Sequence, residues 1–310
     1  MSELADRAHE YLALRRALGY KLAEAGRLLP RFVAYLDAAG AGTVTVGMAM
    51  AWATQPPGGG PPSTVWGRRL AVARGFAKHM AAFDVRTEIP PPDLLAPATA
   101  HRAVPYFYTT AEVAALMAAA RQRPTPLVAA THETLIGLLS TTGMRIGEAI
   151  RLDRHDLDWD DGSLVVRESK FNKSRRLPLH PTTLDALRRY SARRDELCPT
   201  PSVPAFFITR AGTRLVYTDV LAVFHQLLAR SQVGATASRR PRPHDFRHSL
   251  AVAVLLEWYR QGADVQARMP WLSTYLGHAS PVSTYWYLSA APELMGLAAQ
   301  RLAARWQEQP

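Results

Sequence analysis

The stretch from His244 to Tyr287 decides the fold of the second half of the chain. It runs His244-Asp-Phe-Arg-His-Ser249, then through an apolar run to Leu256, then Leu276-Gly-His278 and Ser283-Thr-Tyr-Trp-Tyr287. Proline precedes His244 and suits the first turn of a helix, so a helix is predicted to begin there. The glycine before His278 should end a following helix, and a further helix should carry Tyr287 near its end.

Three side chains of this stretch, His244, Arg247 and His248, share one face of the predicted helix, because residues three and four apart are neighbours. Two histidines at this spacing with an acid after the first also occur in zinc metallohydrolases. That interpretation is disfavoured, because Asp245 is shorter than the glutamate of those sites and Arg247 would repel a cation. A structural role in the core is the other alternative, which the basic run at 239–242 weakens. We predict no metal and no cofactor.

Further basic side chains that are candidates for the functional site lie upstream of this stretch. Arg145 is predicted to begin a helix, with Glu148 one turn on. Two of the only four lysines, Lys170 and Lys173, fall in a predicted hairpin turn. The strands on either side are predicted at Leu164–Arg167 and Arg176–Leu179. Arginine is a permanently charged, planar group that binds phosphate, whereas lysine can readily give up a proton.

The spacing of apolar residues predicts a mainly α protein with a small antiparallel β-sheet. Residues 1–90 should form an all-helical module, residues 91–105 a proline-rich linker, and residues 106–310 a larger α+β module. The remaining elements are predicted as helices at 3–39 with a break at Gly19, 45–52, 63–80, 109–120, 127–140, 181–197, 217–229 and 292–306, and a short strand at 206–208.

The composition favours a polyanionic partner, because the net charge is +11 and the pI is about 10.1. A solvated basic surface would give the same balance, so charge alone does not decide the function. The single cysteine, Cys198, leaves no internal disulfide and fits a reducing cytoplasm. We see no signal-peptide pattern and no apolar run long enough to predict a membrane span.

Four motifs, in order and at approximate spacing, resemble the signature of the tyrosine recombinases, the phage integrase family: Arg145 in Thr-Gly-Met-Arg, His244-x-x-Arg247-His248, Leu-Gly-His278, and Tyr287. The resemblance covers about residues 106–290. It selects Tyr287 over Tyr285 as the nucleophile, since the family's tyrosine typically lies nine residues after the Leu-Gly-His histidine. It favours Lys170 over Lys173, because Ser169-Lys-Phe-Asn-Lys173 is similar to the family's hairpin sequence, with Phe171 replacing a glycine.

The resemblance implies an enzyme that cuts and rejoins DNA through a 3′-phosphotyrosyl ester. The ester would retain the bond energy, so a 5′ hydroxyl from another strand could reseal it, and no metal or ATP would be required. In this reaction Arg145, Arg247 and His278 would stabilise the phosphate oxygens. His244 would remove the proton from Tyr287, and Lys170 would protonate the leaving 5′ oxygen. His248 and Glu148 would support these groups.

The implied partners are double-stranded DNA and further protomers in a homotetrameric synaptic complex, alone or with related recombinases. The N-terminal module is similar to the family's core-binding domain. The C-terminal helix at 292–306 would pack on its own domain or dock on a neighbouring protomer. The segment from Gly262 to Leu276 is longer than usual and resembles the branch carried by transposon-like mobile elements.

Two other functions remain open at this point. A type IB topoisomerase-like nicking and closing enzyme would share the same constellation of residues, and a DNA-binding accessory protein would perform no chemistry. The separate helical module without large insertions favours the recombinase over the topoisomerase. An inactive descendant would be expected to have lost at least one of the six candidate residues, and all six are present.

Overall fold

The structure is a computed structural model that describes residues 2–55, 63–95, 104–167, 174–278, 280, 282–290, 293–297 and 299. Within these residues the fold is mainly α with one small antiparallel sheet, which confirms the predicted fold class. The chain divides into two compact units, Met1–Ala103 and Val104–Pro310. No helix among the described residues is both long enough and apolar enough to cross a membrane.

The described part of the first unit is all-helical and surrounds one apolar core. The predicted break at Gly19 is confirmed, and the glycine has a φ of +86°. Thr45 caps the third helix, since its hydroxyl accepts a hydrogen bond from the backbone N–H of Met48 at 3.2 Å. The helices are α1 (Glu3–Ala17), α2 (Ala23–Ala38), α3 (Val46–Thr54) and α4 (Ser63–Met80).

The chain after α4 stays in contact with the first unit. Arg74 donates from Nε to the carbonyl of Pro90 and from Nη2 to that of Pro91, both at 2.7 Å. Leu95 packs against the apolar core of this unit. Pro91 and Leu95 of the predicted linker therefore contact the helical module.

The second unit builds its main core from helices packed around the sheet. Thr109 and Glu112 form a capping box that starts the first of these helices. The helices are α5 (Thr110–Arg121), α6 (Pro126–Thr142), α7 (Ile146–Arg151), α8 (Pro181–Leu197), α9 (Tyr217–Ser231), α10 (Asp245–Arg260), α11 (Val265–Leu276) and α12 (Val282–Ala290), with a 3-10 helix at Arg154–Asp156. Residues 293–297 and 299 are also helical, and the rest of the predicted C-terminal helix lies outside the described residues.

The sheet has the order β1-β2-β3, and both pairings are antiparallel. Leu164 pairs with Leu177 and Val166 with Arg175, so the two predicted strands are confirmed to within one residue. The strands are β1 (Leu157–Asp158), β2 (Ser163–Val166) and β3 (Arg175–Pro178). The hairpin turn predicted to hold Lys170 lies outside the described residues.

The strand predicted at 206–208 is wrong. Ala205, just before this segment, forms an isolated bridge with Asp153, and Ile208, its last residue, forms one with Arg214. The carbonyls of Ala205 and Phe206 instead accept hydrogen bonds from Nη1 of the fully buried Arg194, at 3.1 and 3.0 Å. The apolar side chains of this segment therefore reflect burial and not a strand. The side chain of Arg194 binds backbone carbonyls that a neighbouring strand would otherwise bind.

Candidate active site

Elements from distant parts of the second unit meet around the predicted site residues. Contacts connect five of the six candidates, and the sixth, Lys170, lies outside the described residues. The five are Arg145 at the N-cap of α7, His244 at the N-cap of α10, Arg247 in the first turn of α10, His278 just after α11, and Tyr287 in α12.

Two helices end at this site with a left-handed glycine. Gly143 ends α6 with a φ of +59°, and Gly277 ends α11 with a φ of +67°. A Cβ at Gly143 would lie 2.8 Å from Leu250 Cδ2, and one at Gly277 would lie 2.6 Å from Arg175 Nη1. Both positions therefore require glycine for the backbone conformation and for the close approach of a neighbour.

The carbonyl groups at the end of α11 are bound by three arginines. The last carbonyls of a helix lack internal partners and carry partial negative charge, so cations stabilise them. The carbonyl of Tyr275 accepts from Arg175 Nε at 2.9 Å, and the carbonyl of Leu276 accepts from Arg247 Nη2. The carbonyl of Gly277 accepts from Arg145 Nη2 at 3.0 Å.

One buried carboxylate, that of Glu148, joins two of these arginines. Its Oε1 accepts from Arg145 Nη1 at 2.7 Å, and its two oxygens accept from Arg175 Nη1 and Nη2 at 3.2 and 2.8 Å. It also accepts from the backbone N–H of Arg145 at 2.9 Å. Burial alone would raise the pKa of Glu148, but the hydrogen bonds and charge of Arg175 and Arg145 outweigh it and lower the pKa to about 2.

The site keeps an excess of positive charge. Among the described residues, the three guanidinium groups of Arg145, Arg175 and Arg247 are offset only in part by the carboxylate of Glu148. Arg247 is 2% exposed and also donates to the carbonyl of Gly143 at 3.0 Å. Burial, aided by the charge of Arg145, lowers the pKa of Arg247 to about 10, so Arg247 stays charged at neutral pH. The arrangement suits an anion such as a phosphodiester.

The two candidate tyrosines of α12 have different environments. Tyr287 is 2% exposed, and its hydroxyl lies 3.2 Å from His248 Nδ1. Its ring also stacks on that of His278, with centroids 6.1 Å apart. Tyr285 is 42% exposed. Spacing alone left both tyrosines open, and the structure brings Tyr287 into the cluster.

His244 lies beside this tyrosine cluster. Its ring meets the ring of His248 edge-on, with centroids 4.8 Å apart. Part of its surface is exposed, but the protein atoms around the rest of the ring and the charge of Arg247 lower its pKa to about 4. The imidazole is therefore neutral at physiological pH and can accept a proton. His248, for which the sequence suggested only a supporting role, contacts the Tyr287 hydroxyl.

Residues 107–293, more than half of the chain, match the family described as "Phage integrase family". The chain belongs to the phage integrase family. The integrase/recombinase y4rB of Sinorhizobium fredii is 40% identical over 315 residues, which cover 99% of each protein. Tyrosine recombinase XerD of Mycobacterium tuberculosis is 31% identical, over 71% of this chain and 68% of that protein. The chain is a tyrosine-type site-specific DNA recombinase.

Solved structures share this fold. The Tn1549 transposon integrase in complex with transposon right end DNA aligns with a TM-score of 0.67, covering 96% of this chain and 99% of that chain at 17% identity. A lambda integrase dimer bound to a core site aligns with a TM-score of 0.55, covering 92% and 76% at 18% identity. At these identities the likeness concerns the fold of the recombinase.

One group of possible metal ligands occurs in the described part of the recombinase, and it includes none of the predicted site residues. Asp153, His155 and Asp156 bring their ligand atoms within 4.8 Å of one another. Arg214 donates to Asp153, and Arg167 donates to Asp156. Because arginines already neutralise both carboxylates, this group needs no metal ion to be stable.

Arg175 is the member of the site that the sequence patterns did not single out. Two observations could have identified it. Residues two apart on a strand face the same side, so Arg175 shares a face with the buried Leu177. A long charged side chain on a buried face needs a charged partner, which Glu148 supplies.

Replacing Gly277 with alanine should destabilise the recombinase by more than the left-handed backbone conformation alone would cost. The matched control is Gly40→Ala, since Gly40 has a φ of +66° and open space around its Cα. We expect Gly40→Ala to lower the free energy of unfolding by roughly 1 kcal/mol. Gly277→Ala should cost about 2–3 kcal/mol, because the new methyl group would displace the bound Arg175. Urea unfolding followed by circular dichroism measures both, and equal losses would contradict the close approach.

Replacing Glu148 with glutamine should remove a pH-dependent part of the stability. The pKa of Glu148 is about 2 in the folded chain against an ordinary value of 4.5, so the contribution is present above pH 4.5 and is lost as the pH falls towards 2. We expect Glu148→Gln to lower the free energy of unfolding by roughly 3 kcal/mol at neutral pH, and the gap from wild type to narrow in acid.

The control for this titration is Glu196→Gln, because the Glu196 side chain is 66% exposed and its ion pair with Arg193 lies at the surface. Its effect should stay below about 1 kcal/mol at every pH. Urea unfolding at a series of pH values from neutral to about pH 3 measures both variants. A gap for Glu148→Gln that stays constant across the series would show that the lowered pKa is wrong.

Proposed function

We propose that this recombinase cuts and rejoins double-stranded DNA for a mobile element, through a 3′-phosphotyrosyl intermediate on Tyr287. One observation carries the proposal: Tyr287 lies against His248 and His278, and the carbonyls before and at Gly277 bind Arg247 and Arg145. These groups come from separate parts of the sequence, and their meeting gives a nucleophile, imidazoles and fixed cations in one place.

Fixed positive donors are the main requirement of the reaction. As Tyr287 attacks the phosphorus, charge builds on the two non-bridging oxygens, and preorganised donors stabilise it. Arg145 and Arg247 supply planar, permanently charged donors, and His278 supplies a further one. Arg145 has five N–H bonds, and its contacts within the described residues use one at each Nη atom. Donors of Arg145 therefore remain for a phosphate.

The nucleophile must lose its proton as it attacks. His244 is our candidate base, by resemblance to the family and because it lies against His248, which contacts the Tyr287 hydroxyl. His248 is the second candidate, since its Nδ1 lies 3.2 Å from the Tyr287 hydroxyl. Tyr287 is buried in this structure, so a scissile phosphate can reach it only if the surrounding elements open when DNA binds.

The leaving 5′ oxygen needs a proton, and Lys170 is our candidate donor by resemblance. β2 and β3 frame the segment that contains Lys170, and β3 begins with Arg175, which contacts the site. A 5′ hydroxyl from another strand would then attack the phosphotyrosyl ester and reseal the DNA. The ester retains the bond energy, so no ATP enters the reaction. Arg145, Arg247 and His278 supply the charge stabilisation that a metal ion would otherwise give.

The partners follow from charge and from the related proteins. The net charge of +11 favours a polyanion, and the structures that share this fold include integrases in complex with DNA. We assign residues 1–90 to DNA binding and residues 106–310 to catalysis. A homotetramer on DNA, alone or with related recombinases, would bring together the strands that are exchanged. The single cysteine, Cys198, is compatible with work in the reducing cytoplasm.

Replacing Tyr287 with phenylalanine should abolish the covalent protein–DNA complex. The substrates are duplexes from the ends of the element that carries the gene, with a nick at each successive position so that the cut fragment diffuses away. A denaturing gel in EDTA should show a covalent band for wild type and for Tyr285→Phe, but none for Tyr287→Phe. Phenylalanine keeps the ring and removes only the attacking oxygen.

Other outcomes of this assay would change the assignment. Loss of the band only in Tyr285→Phe would keep the chemistry and move the nucleophile by two residues. Tight binding of wild type to the same DNA without any covalent band would contradict catalysis and favour a DNA-binding accessory protein. Relaxation of supercoiled plasmid without joining of strands between two duplexes would favour a topoisomerase-like enzyme.

The same covalent assay should separate the two histidines. We expect His244→Gln to slow formation of the complex by about 10²–10⁴-fold, the usual range for a lost general base. We expect His248→Gln to slow it less, because its contact would then only orient the Tyr287 hydroxyl. The rates are measured in single turnover with enzyme in excess. A larger loss in His248→Gln would reverse the roles of the two residues.

A further inference from the structure

Two adjacent arginines of β3 lie in different environments. Arg175 opens the strand opposite Val166, and its side chain is 9% exposed. Arg176 points the other way, is 56% exposed, and forms surface ion pairs with Asp158 and Asp161. The pleat of the strand causes the difference, because successive side chains point to opposite faces. Arg175 is therefore the one directed at the site.

The guanidinium of Arg175 makes three hydrogen bonds to two separate elements. Nη1 and Nη2 donate to the two carboxylate oxygens of Glu148 in α7, at 3.2 and 2.8 Å. Nε donates to the carbonyl of Tyr275 near the end of α11, at 2.9 Å. A planar fork can satisfy these acceptors together, whereas the point charge of a lysine cannot reproduce the geometry.

These contacts reach Arg145 through a shared partner. Glu148 Oε1, which accepts from Arg175, also accepts from Arg145 Nη1 at 2.7 Å. The charges of Arg145, Arg175 and Glu148 sum to one positive charge. Without Arg175 the remaining two charges would sum to zero, and the carboxylate oxygens that Arg175 now binds could accept further hydrogen bonds from Arg145. The contact of Arg175 with the carbonyl of Tyr275 also fixes the end of α11. The next two carbonyls, those of Leu276 and Gly277, bind Arg247 and Arg145.

We propose that Arg175 is a positioning residue that keeps the charge of Arg145 directed at the scissile phosphate and joins the strand after the Lys170 hairpin to the turn before His278. It acts through Glu148 and the carbonyl of Tyr275, and we assign it no contact with DNA. The inference rests on the proposed function, because it concerns the phosphate-binding role of Arg145.

The test compares Arg175→Lys with the matched control Arg176→Lys in the full-length protein. Each substitution keeps the charge and removes the fork, on opposite faces of the same strand. With the nicked duplexes described above, we expect Arg175→Lys to slow covalent-complex formation by about 10–100-fold, the range for partners that orient a functional group. Arg176→Lys should keep the wild-type rate. Affinity for the duplex, measured by gel shift, should stay nearly unchanged in both variants.

A substrate with altered charge distinguishes positioning from a general packing role. A methylphosphonate at the scissile position replaces one charged oxygen with a methyl group and so reduces the need for the charge of Arg145. The ratio of wild-type to Arg175→Lys rates should be several-fold smaller on this substrate than on ordinary phosphate. A merely structural defect would lower both rates by the same factor, and that result would overturn the inference.

Removing one partner of a buried ion pair leaves the other charge unpaired and can destabilise the fold. A second pair of variants controls for this effect. The double variant Arg175→Gln with Glu148→Gln removes both charges together. Its rate should be no lower than that of Arg175→Gln alone if Arg175 acts through Glu148. Multiplied losses in the double variant would overturn this route.

The remaining outcomes also decide the question. Equal rates for wild type, Arg175→Lys and Arg176→Lys would overturn the inference while the covalent band of wild type upholds the proposed function. Absence of that band in wild type itself, on every nicked duplex, would overturn the proposed function and the inference with it.

Discussion

The carboxylate of Glu148 pairs with two of the three arginines of the site, Arg145 and Arg175, and the geometry of the site depends on it. It is 3% exposed, so its charge must be satisfied by hydrogen bonds rather than by water. Arg145 and Arg175 both provide these bonds. Because a buried ion pair tolerates little movement, the positions of α7 and β3 are fixed relative to each other.

The end of α11 is the second part of this arrangement. Its terminal carbonyls carry partial negative charge and accept from the same three arginines, two of which already surround Glu148. The helix dipole thus stabilises a concentration of positive charge that would otherwise repel itself. These acceptors are carbonyls rather than carboxylates, so they orient the arginines without cancelling their charge, and the excess remains for an anionic substrate.

Much of the fold could be predicted from local patterns. Thr45 caps a helix, Gly277 ends one, and Pro181 begins one, because capping and backbone conformation depend on a few neighbouring residues. The prediction of a strand failed where a side chain, rather than a neighbouring strand, binds the backbone carbonyls. The residues at 206–208 are apolar enough for a strand, yet Arg194 satisfies the carbonyls of Ala205 and Phe206.

The sequence by itself determined the helices, the hairpin strands, and the residue types and order of the motifs, since these depend on local spacing and on a recognisable family pattern. Only the tertiary structure decided which side chains meet. The contact of Arg145 with Gly277 joins residues 132 positions apart, and that of His248 with Tyr287 joins residues 39 apart. Such contacts depend on how helices pack, and no local pattern encodes the packing. The same reason explains why Arg175 and Arg176, identical and adjacent in sequence, differ so completely in their surroundings.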